Sequence, residues 1–193
     1  MTQNRSTREA LLDAAAAAVV SGDWARTRML DVALAAGVSR QTLYNEFGSK
    51  DALAEALAMR EAQRYIDGTQ RLLDESHPER PFDAIAAATA WTLREASDNP
   101  LLKATLTDDA GGLLPFLTTR AEPLLTAARA SLADYITKTW PDLPTDDVLL
   151  AAETVTRLTV SYLVLPSDAA EASAEAIAAR LAHLVERLLT KGR

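Results

Sequence analysis

Apolar residues recur at helical spacing along nearly the whole chain. Leu11, Ala14, Ala15, Ala18 and Val19 make one stripe, the i, i+3, i+4 recurrence of an amphipathic helix. Ser6 stands before it as an N-cap, with Glu9 three residues on as its capping-box partner. The pattern predicts a first helix over 6–20, ended by Gly22, with Trp24 as a lid on a small core. Met29, Val32, Ala33 and Ala36 share a face and predict a short second helix, with Thr27 as its N-cap and Gly37 as its stop. Ser39 then caps a third short helix, "RQTLYNEF", and Ser49 a long fourth one to about residue 75. Leu53, Leu57, Tyr65, Leu72 and Leu73 give the fourth helix its apolar side, and Gly68 weakens its middle.

"SHPERP" (76–81) interrupts the pattern. Helices are expected over 82–96, from Pro100 through "LLKATLTD", over 116–139, over 145–165 and over 168–190. Pro123 lies inside the third of these, where it either kinks the helix or marks its true first turn. "DDAGGLLP" and "WPDLPTDD" read as loops. The short link "PSD" makes the last two helices antiparallel neighbours. The fold class is therefore all-α, with about nine helices.

Composition agrees and removes several functions. Hydrophobic residues are 48% of the 193, and Gly and Pro number only 7 and 8, which argues for a folded chain. The absence of cysteine excludes disulfides and thiolate metal sites. His77 and His183 are far apart; the first reads as a loop residue, the second as a surface position, and no metal site or cofactor is expected. No run of about 18 apolar residues exists, and "AAAAAVV", preceded by Glu9 and Asp13, makes a poor signal peptide. A cytoplasmic protein without a membrane partner is expected. No Ser/His/Asp or Cys/His set, P-loop or dinucleotide fingerprint is visible, so no catalytic residue is assigned and the chain is not read as an enzyme.

Charge divides the chain. Residues 1–60 carry seven basic and seven acidic side chains, so the whole net charge of −7 lies in 61–193. Two parts with different roles are expected: residues 1–50, and 51–193, with the fourth helix (49–75) connecting them. The first part holds the polar segment "AGVSRQTLYNEF" (36–47). Two short helices joined by a Gly-containing turn match a helix-turn-helix. On the second of them Leu43 and Phe47 face the core, which leaves two outward rows, Arg40/Tyr44 and Gln41/Asn45, each at i, i+4. Side chains of this kind, on a helix narrow enough for a major groove, suit base edges and phosphates.

"TRMLDVALAAGVSRQTLYNEFGSKDAL" (27–53) resembles the DNA-binding signature of the TetR family of transcriptional regulators. The matching residues are Thr27, Val32, Ala33, Ala36, Gly37, Val38, Ser39, Thr42, Leu43, Tyr44, Phe47, Ser49, Lys50 and Leu53. The resemblance implies base contacts from Arg40, Gln41 and Tyr44, and phosphate contacts from Thr27, Thr42, Asn45, Ser49 and Lys50. Two residues depart from it. Arg28 replaces a common Thr and adds a backbone contact. Glu46 stands where an aromatic residue or His is frequent, and is read as turned from DNA toward Lys50 at i+4. Arg5 and Arg8 form either a basic arm or part of a disordered tail.

The resemblance also implies a larger helical ligand-binding and dimerisation domain. The expected dimer interface is Leu158, Tyr162, Ile177, Leu181, Leu184, Val185 and Leu188. The expected ligand pocket is lined by Trp91, Leu106, Phe116, Leu117, Leu124 and Tyr162, with Asp108 and Asp109 either drawing a cationic ligand or simply solvated. Gly68 is a candidate pivot. The function so implied is a homodimeric repressor that binds a near-palindromic double-stranded operator and is released by a small-molecule ligand. The acidic total charge keeps a second reading open: a helical small-molecule or protein-binding module that never meets DNA.

Overall fold

The computed structural model describes residues 6–75, 79–106, 113–166 and 173–190. Among them are nine α-helices and no strand: α1 (Thr7–Val20), α2 (Met29–Ala35), α3 (Arg40–Phe47), α4 (Lys50–Asp74), α5 (Pro81–Asp98), α6 (Pro100–Leu106), α7 (Glu122–Thr139), α8 (Thr145–Val164) and α9 (Ala174–Thr190). A 3₁₀ turn at Leu114–Leu117 precedes α7. The all-helical expectation holds. Arg5, His77, Asp108, Asp109 and the Gly-Gly loop lie outside the described residues.

Capping explains most helix starts. Ser6 Oγ accepts from Glu9 N at 3.2 Å, and Ser39 Oγ from Thr42 N at 3.0 Å, each satisfying an N–H that the first helical turn leaves unpaired. The start of α2 differs from the expectation. Thr27 is not its cap: its hydroxyl donates to Asp23 O at 2.9 Å, and Asp31 accepts from Arg28 N at 2.8 Å. Pro123 marks a first turn and not a kink, because α7 begins at Glu122. Proline there forfeits only an N–H that has no intrahelical acceptor.

The chain divides into two compact units, Met1–Glu61 with Asn99–Arg120, and Ala62–Asp98 with Ala121–Arg193. In the first, Leu11, Leu12 and Val19 of α1, Val32 of α2, Leu43 of α3, and Leu53 and Leu57 of α4 close around Trp24. Leu101, Leu113 and Phe116 belong to the same core. The segment that returns after α5 is therefore part of this unit, which no local pattern announces. Each fully buried aliphatic side chain contributes about 1.5–3 kcal/mol relative to exposure.

In the second unit α9 lies along α5 and α8, and α7 along α8. Buried alanines, Ala84 and Ala88 on α5 and Ala178 and Ala182 on α9, allow close helix approach. Ile85, Ile136, Val155 and Val185 fill the centre. Gly68 is buried in this unit and is not a weak point of α4, which runs unbroken through it. A Cβ at position 68 would overlap the Trp91 ring. The glycine is a notch that lets Trp91 pack against the helix.

Candidate nucleic-acid interface

The candidate interface is built on α3. Gly37 (φ 70°) and Gly48 (φ 72°) bracket it, both in the left-handed region that a Cβ disfavours. They turn the chain sharply at each end, so that eight residues stand as a separate short helix. Leu43 is fully buried and Phe47 nearly so, anchoring α3 against Val32 and Ala33. The opposite face stays in solvent, with Tyr44 37% exposed although it is aromatic.

Both outward rows expected from the sequence are present as pairs. The Arg40 guanidinium carbon lies 5.1 Å from the Tyr44 ring centroid, a cation–π stack. Gln41 Nε2 donates to Asn45 Oδ1 at 2.8 Å. These contacts restrict the rotamers of four long or planar side chains before any ligand arrives, which lowers the entropy cost of binding. Arg40, Gln41, Tyr44 and Asn45 are all exposed. Beside them, Thr42 Oγ1 shares a hydrogen with Ser39 Oγ at 2.8 Å, and Ser49 Oγ accepts from Ala52 N at 3.1 Å. Thr27 is half-buried and Arg28 exposed at the start of α2.

Four charged groups do something that the sequence did not suggest. Glu46 pairs with Arg8 of α1 at 2.7 Å, not with Lys50. Arg8 also stacks on Phe47, 4.8 Å from the ring centroid, so it braces α3 instead of extending as an arm. Lys50 turns inward: its Nζ donates to Trp24 O at 2.5 Å, Thr27 O at 2.7 Å and Ala25 O at 3.3 Å. Burial holds its ammonium below the ordinary lysine value. Arg120 bridges Asp51 (2.9 Å) and Glu55 (3.3 Å) of α4, and lies 4.3 Å from the Phe116 ring centroid. The hydrogen bond and charge of Asp51 hold the Arg120 guanidinium above its usual value. Apart from Phe116, four residues before Arg120, these partners lie 23 to 69 residues away, beyond any helical repeat.

The expected pocket residues fall in both units. Phe116 is buried in the core of the first, with Leu106 and Leu117 half-buried there. Trp91, Leu124 and Tyr162 are half-buried in the second. Tyr65 lies 6.3 Å from Trp91, and Tyr162 packs on Leu93, Ile177 and Leu181. An open depression beside α7 and α8 is lined by Arg129, Glu153 and Arg157 among others. Its charges already neutralise one another, Arg157 to Glu153 at 2.7 Å and Arg129 to Glu153 at 3.5 Å.

The expected dimer residues all lie in the second unit and divide by burial. Ile177, Leu181 and Val185 are buried within the protomer, whereas Leu158, Tyr162, Leu184 and Leu188 are only half-buried. Leu150 and Leu165, outside that set, are exposed. His183 is exposed beside Glu186 at 3.3 Å, as expected for a surface position. Among the described residues no group of three His, Cys, Asp or Glu side chains is placed to hold a metal ion. None of the described helices is long and apolar enough to cross a membrane.

Known proteins share this arrangement along nearly the full chain. Residues 11–57 match the family model for bacterial regulatory proteins of the tetR family, and residues 81–186 match the model for the C-terminal domain of the bacterial tetracyclin repressor. The HTH-type transcriptional regulator AlkX of Mycobacterium tuberculosis is 34% identical over 181 residues, covering 93% of this chain and 85% of its own. The crystal structure of the TetR family repressor AlkX from a Dietzia strain, implicated in biodegradation of n-alkanes, superposes with a TM-score of 0.76 at 30% identity, covering 98% of each chain. A TetR-family regulator of Mesorhizobium loti, at 21% identity and a TM-score of 0.64, shares the fold over 99% of this chain and 98% of its own. With both halves matched by models of one family and a regulator 34% identical over 93% of the chain, this chain belongs to the TetR family of transcriptional regulators.

Proposed function

We propose that the protein is a homodimeric repressor that reads a near-palindromic operator through α3 and is released by an apolar small molecule. The observation that carries this reading is the exposed face of α3, where Arg40 stacks on Tyr44 and Gln41 bonds Asn45. Arg40, Gln41 and Tyr44 take base edges. Thr27, Arg28, Thr42, Asn45 and Ser49 take phosphates, helped by the free N–H groups at the start of α4.

Leu158, Tyr162, Leu184 and Leu188, only half-buried in one protomer, extend with Leu150 and Leu165 into the face that a second copy covers. Two copies place two recognition helices on one side of the duplex, hence the repeat in the operator. Work on DNA places the protein in the cytoplasm.

The ligand class follows from two supports. The Dietzia repressor, similar over the whole chain, is implicated in n-alkane biodegradation. In this chain the buried polar side chains among the described residues are threonines, Thr89, Thr105, Thr156 and Thr159, which offer nothing to balance a ligand charge. An aliphatic compound is the ligand class that such an interior favours, with Trp91, Leu124 and Tyr162 as the proposed lining. The coupling is a linkage effect: a ligand that prefers one arrangement of the protein shifts the population toward it. Coupling of about 1–3 kcal/mol changes operator affinity about 5- to 150-fold. Titrating the DNA-bound protein with long-chain alkanes, alcohols and carboxylates, followed by DNA anisotropy, tests this. Release by the neutral aliphatic compounds is expected; indifference to all of them, with DNA binding intact, would reject the ligand class alone.

A further inference from the structure

Lys50 is the first residue of α4, yet its charge faces the interior of the first unit. An ammonium has three N–H donors, and the three acceptors within reach all come from one loop: the carbonyls of Trp24, Ala25 and Thr27. The same Nζ lies 4.8 Å from the Trp24 ring centroid, over a side chain buried in the core. A lysine that takes a phosphate is an exposed point charge with donors to spare. Here burial costs the ammonium part of its hydration, and the carbonyls offset that cost.

The loop so held leads directly into Thr27 and Arg28 and the first turn of α2. Besides Lys50, the buried Trp24 ring anchors the start of the loop in the core, and Asp23 N donates to Ala18 O at 3.1 Å. Arg26 pairs with Asp23 at 2.8 Å on the surface, where an ion pair contributes little, and the Thr27 hydroxyl bonds Asp23 O. Beyond Trp24, Lys50 is the side chain that ties the Ala25 and Thr27 carbonyls to α4.

We infer that Lys50 is a positioning residue for DNA binding: it holds the Trp24–Thr27 loop so that Thr27 and Arg28 meet the DNA backbone, and it takes no phosphate itself. The inference rests on the assignment of Arg28 to a phosphate. It also distinguishes lysine from arginine at this site. Three converging carbonyls suit a compact, rotatable ammonium and not a planar guanidinium fork.

The test uses the full-length dimer and a duplex carrying its selected binding site, with affinity measured across salt concentrations. Wild-type protein that bound no duplex would overturn the functional reading before Lys50 was touched. Losing a phosphate contact flattens the slope of log K against log salt by about 0.9 per contact, about 1.8 per dimer. Arg28→Gln is expected to do this. Lys50→Met is expected to weaken binding on the order of tenfold with an unchanged slope, and to weaken it less in the Arg28→Gln background, because both changes then act through one contact. A merely structural role would leave those two losses additive. Lys50→Arg is expected not to restore affinity.

A flattened slope in Lys50→Met, with full rescue by arginine, would overturn the inference. Reductive methylation of the unmodified protein without DNA gives a check that needs no variant. Lys50 should react several-fold more slowly than the exposed Lys103, and equal rates would overturn the inference as well.

Discussion

Replacing Gly68 by alanine sets two effects of opposite sign against each other. In a helix interior alanine is favoured over glycine by about 1 kcal/mol, so a glycine placed for flexibility would yield a more stable protein. At position 68 the new methyl would fall inside the Trp91 ring, and that ring is itself bounded by Tyr65, at 6.3 Å between centroids. Forcing a methyl into such a site costs about 1–3 kcal/mol. The rigid ring puts the cost toward the upper part of that range, and Gly68→Ala is expected to destabilise by about 1–2 kcal/mol net. Trp91→Ala alone should cost about 2–4 kcal/mol, somewhat below a fully buried tryptophan because the side chain is half-buried. In the Trp91→Ala background the clash is gone, so Gly68→Ala should reverse sign and stabilise by about 0.5–1 kcal/mol. Urea unfolding of the four proteins at one protomer concentration measures this, with m-values checked for constancy. A Gly68→Ala change that stabilised the wild-type protein, or had one sign in both backgrounds, would refute the notch and restore the glycine as a flexible pivot.

Glu46→Gln removes a carboxylate from α3 and frees Arg8. Operator binding at low salt should tighten a few-fold, while stability falls by less than about 1 kcal/mol, since the pair is partly exposed; weaker binding would show that Arg8 braces α3 chiefly through Glu46. Tyr44→Ala should abolish most sequence-specific binding and leave the unfolding free energy within about 0.5 kcal/mol, whereas Leu43→Ala, one residue away but fully buried, should cost about 2–5 kcal/mol. Equal stability losses would contradict the division of α3 into two faces. The hydrogen bond and charge of Arg157 hold the Glu153 carboxylate below its usual range. A depressed folded value means that its stabilisation is present above the unfolded carboxylate value and is lost as pH falls through the folded one. Thermal unfolding of Glu153→Gln between neutral and acid pH should therefore show a smaller acid-induced drop than wild type, and the difference should shrink in high salt.

Local chemistry was legible in the sequence. Ser6 and Ser39 cap where their spacing said they would, Gly37 turns the chain before α3, and Leu43 with Phe47 defines the buried face and hence the exposed one. These features depend on neighbours within about four residues, the range over which a sequence pattern carries information. What failed or was missed depends on distant partners. Glu46 had Lys50 at helical spacing but chose Arg8, because Lys50 was drawn away by three loop carbonyls. Gly68 looked like a weakness because its reason, the Trp91 ring, stands 23 residues later. Phe116 and Arg120 belong with α4 in the first unit through a return of the chain that has no repeat or motif. In the last helix the apolar surplus was visible, but how much of it α5 and α8 take was not. Ile177, Leu181 and Val185 carry the same periodicity whichever surface they meet.

The claim on which the account turns is that α3 reads sequence as one half of a dimer. Selection of random-sequence duplexes by the purified, folded protein at a stated moderate salt concentration, followed by sequencing of the enriched pool, tests it most directly. The account predicts an inverted repeat with half-sites about one helical turn apart, or a multiple of it, and loss of that enrichment in Tyr44→Ala. An unenriched pool, or a single unrepeated site, from folded dimeric protein would contradict it.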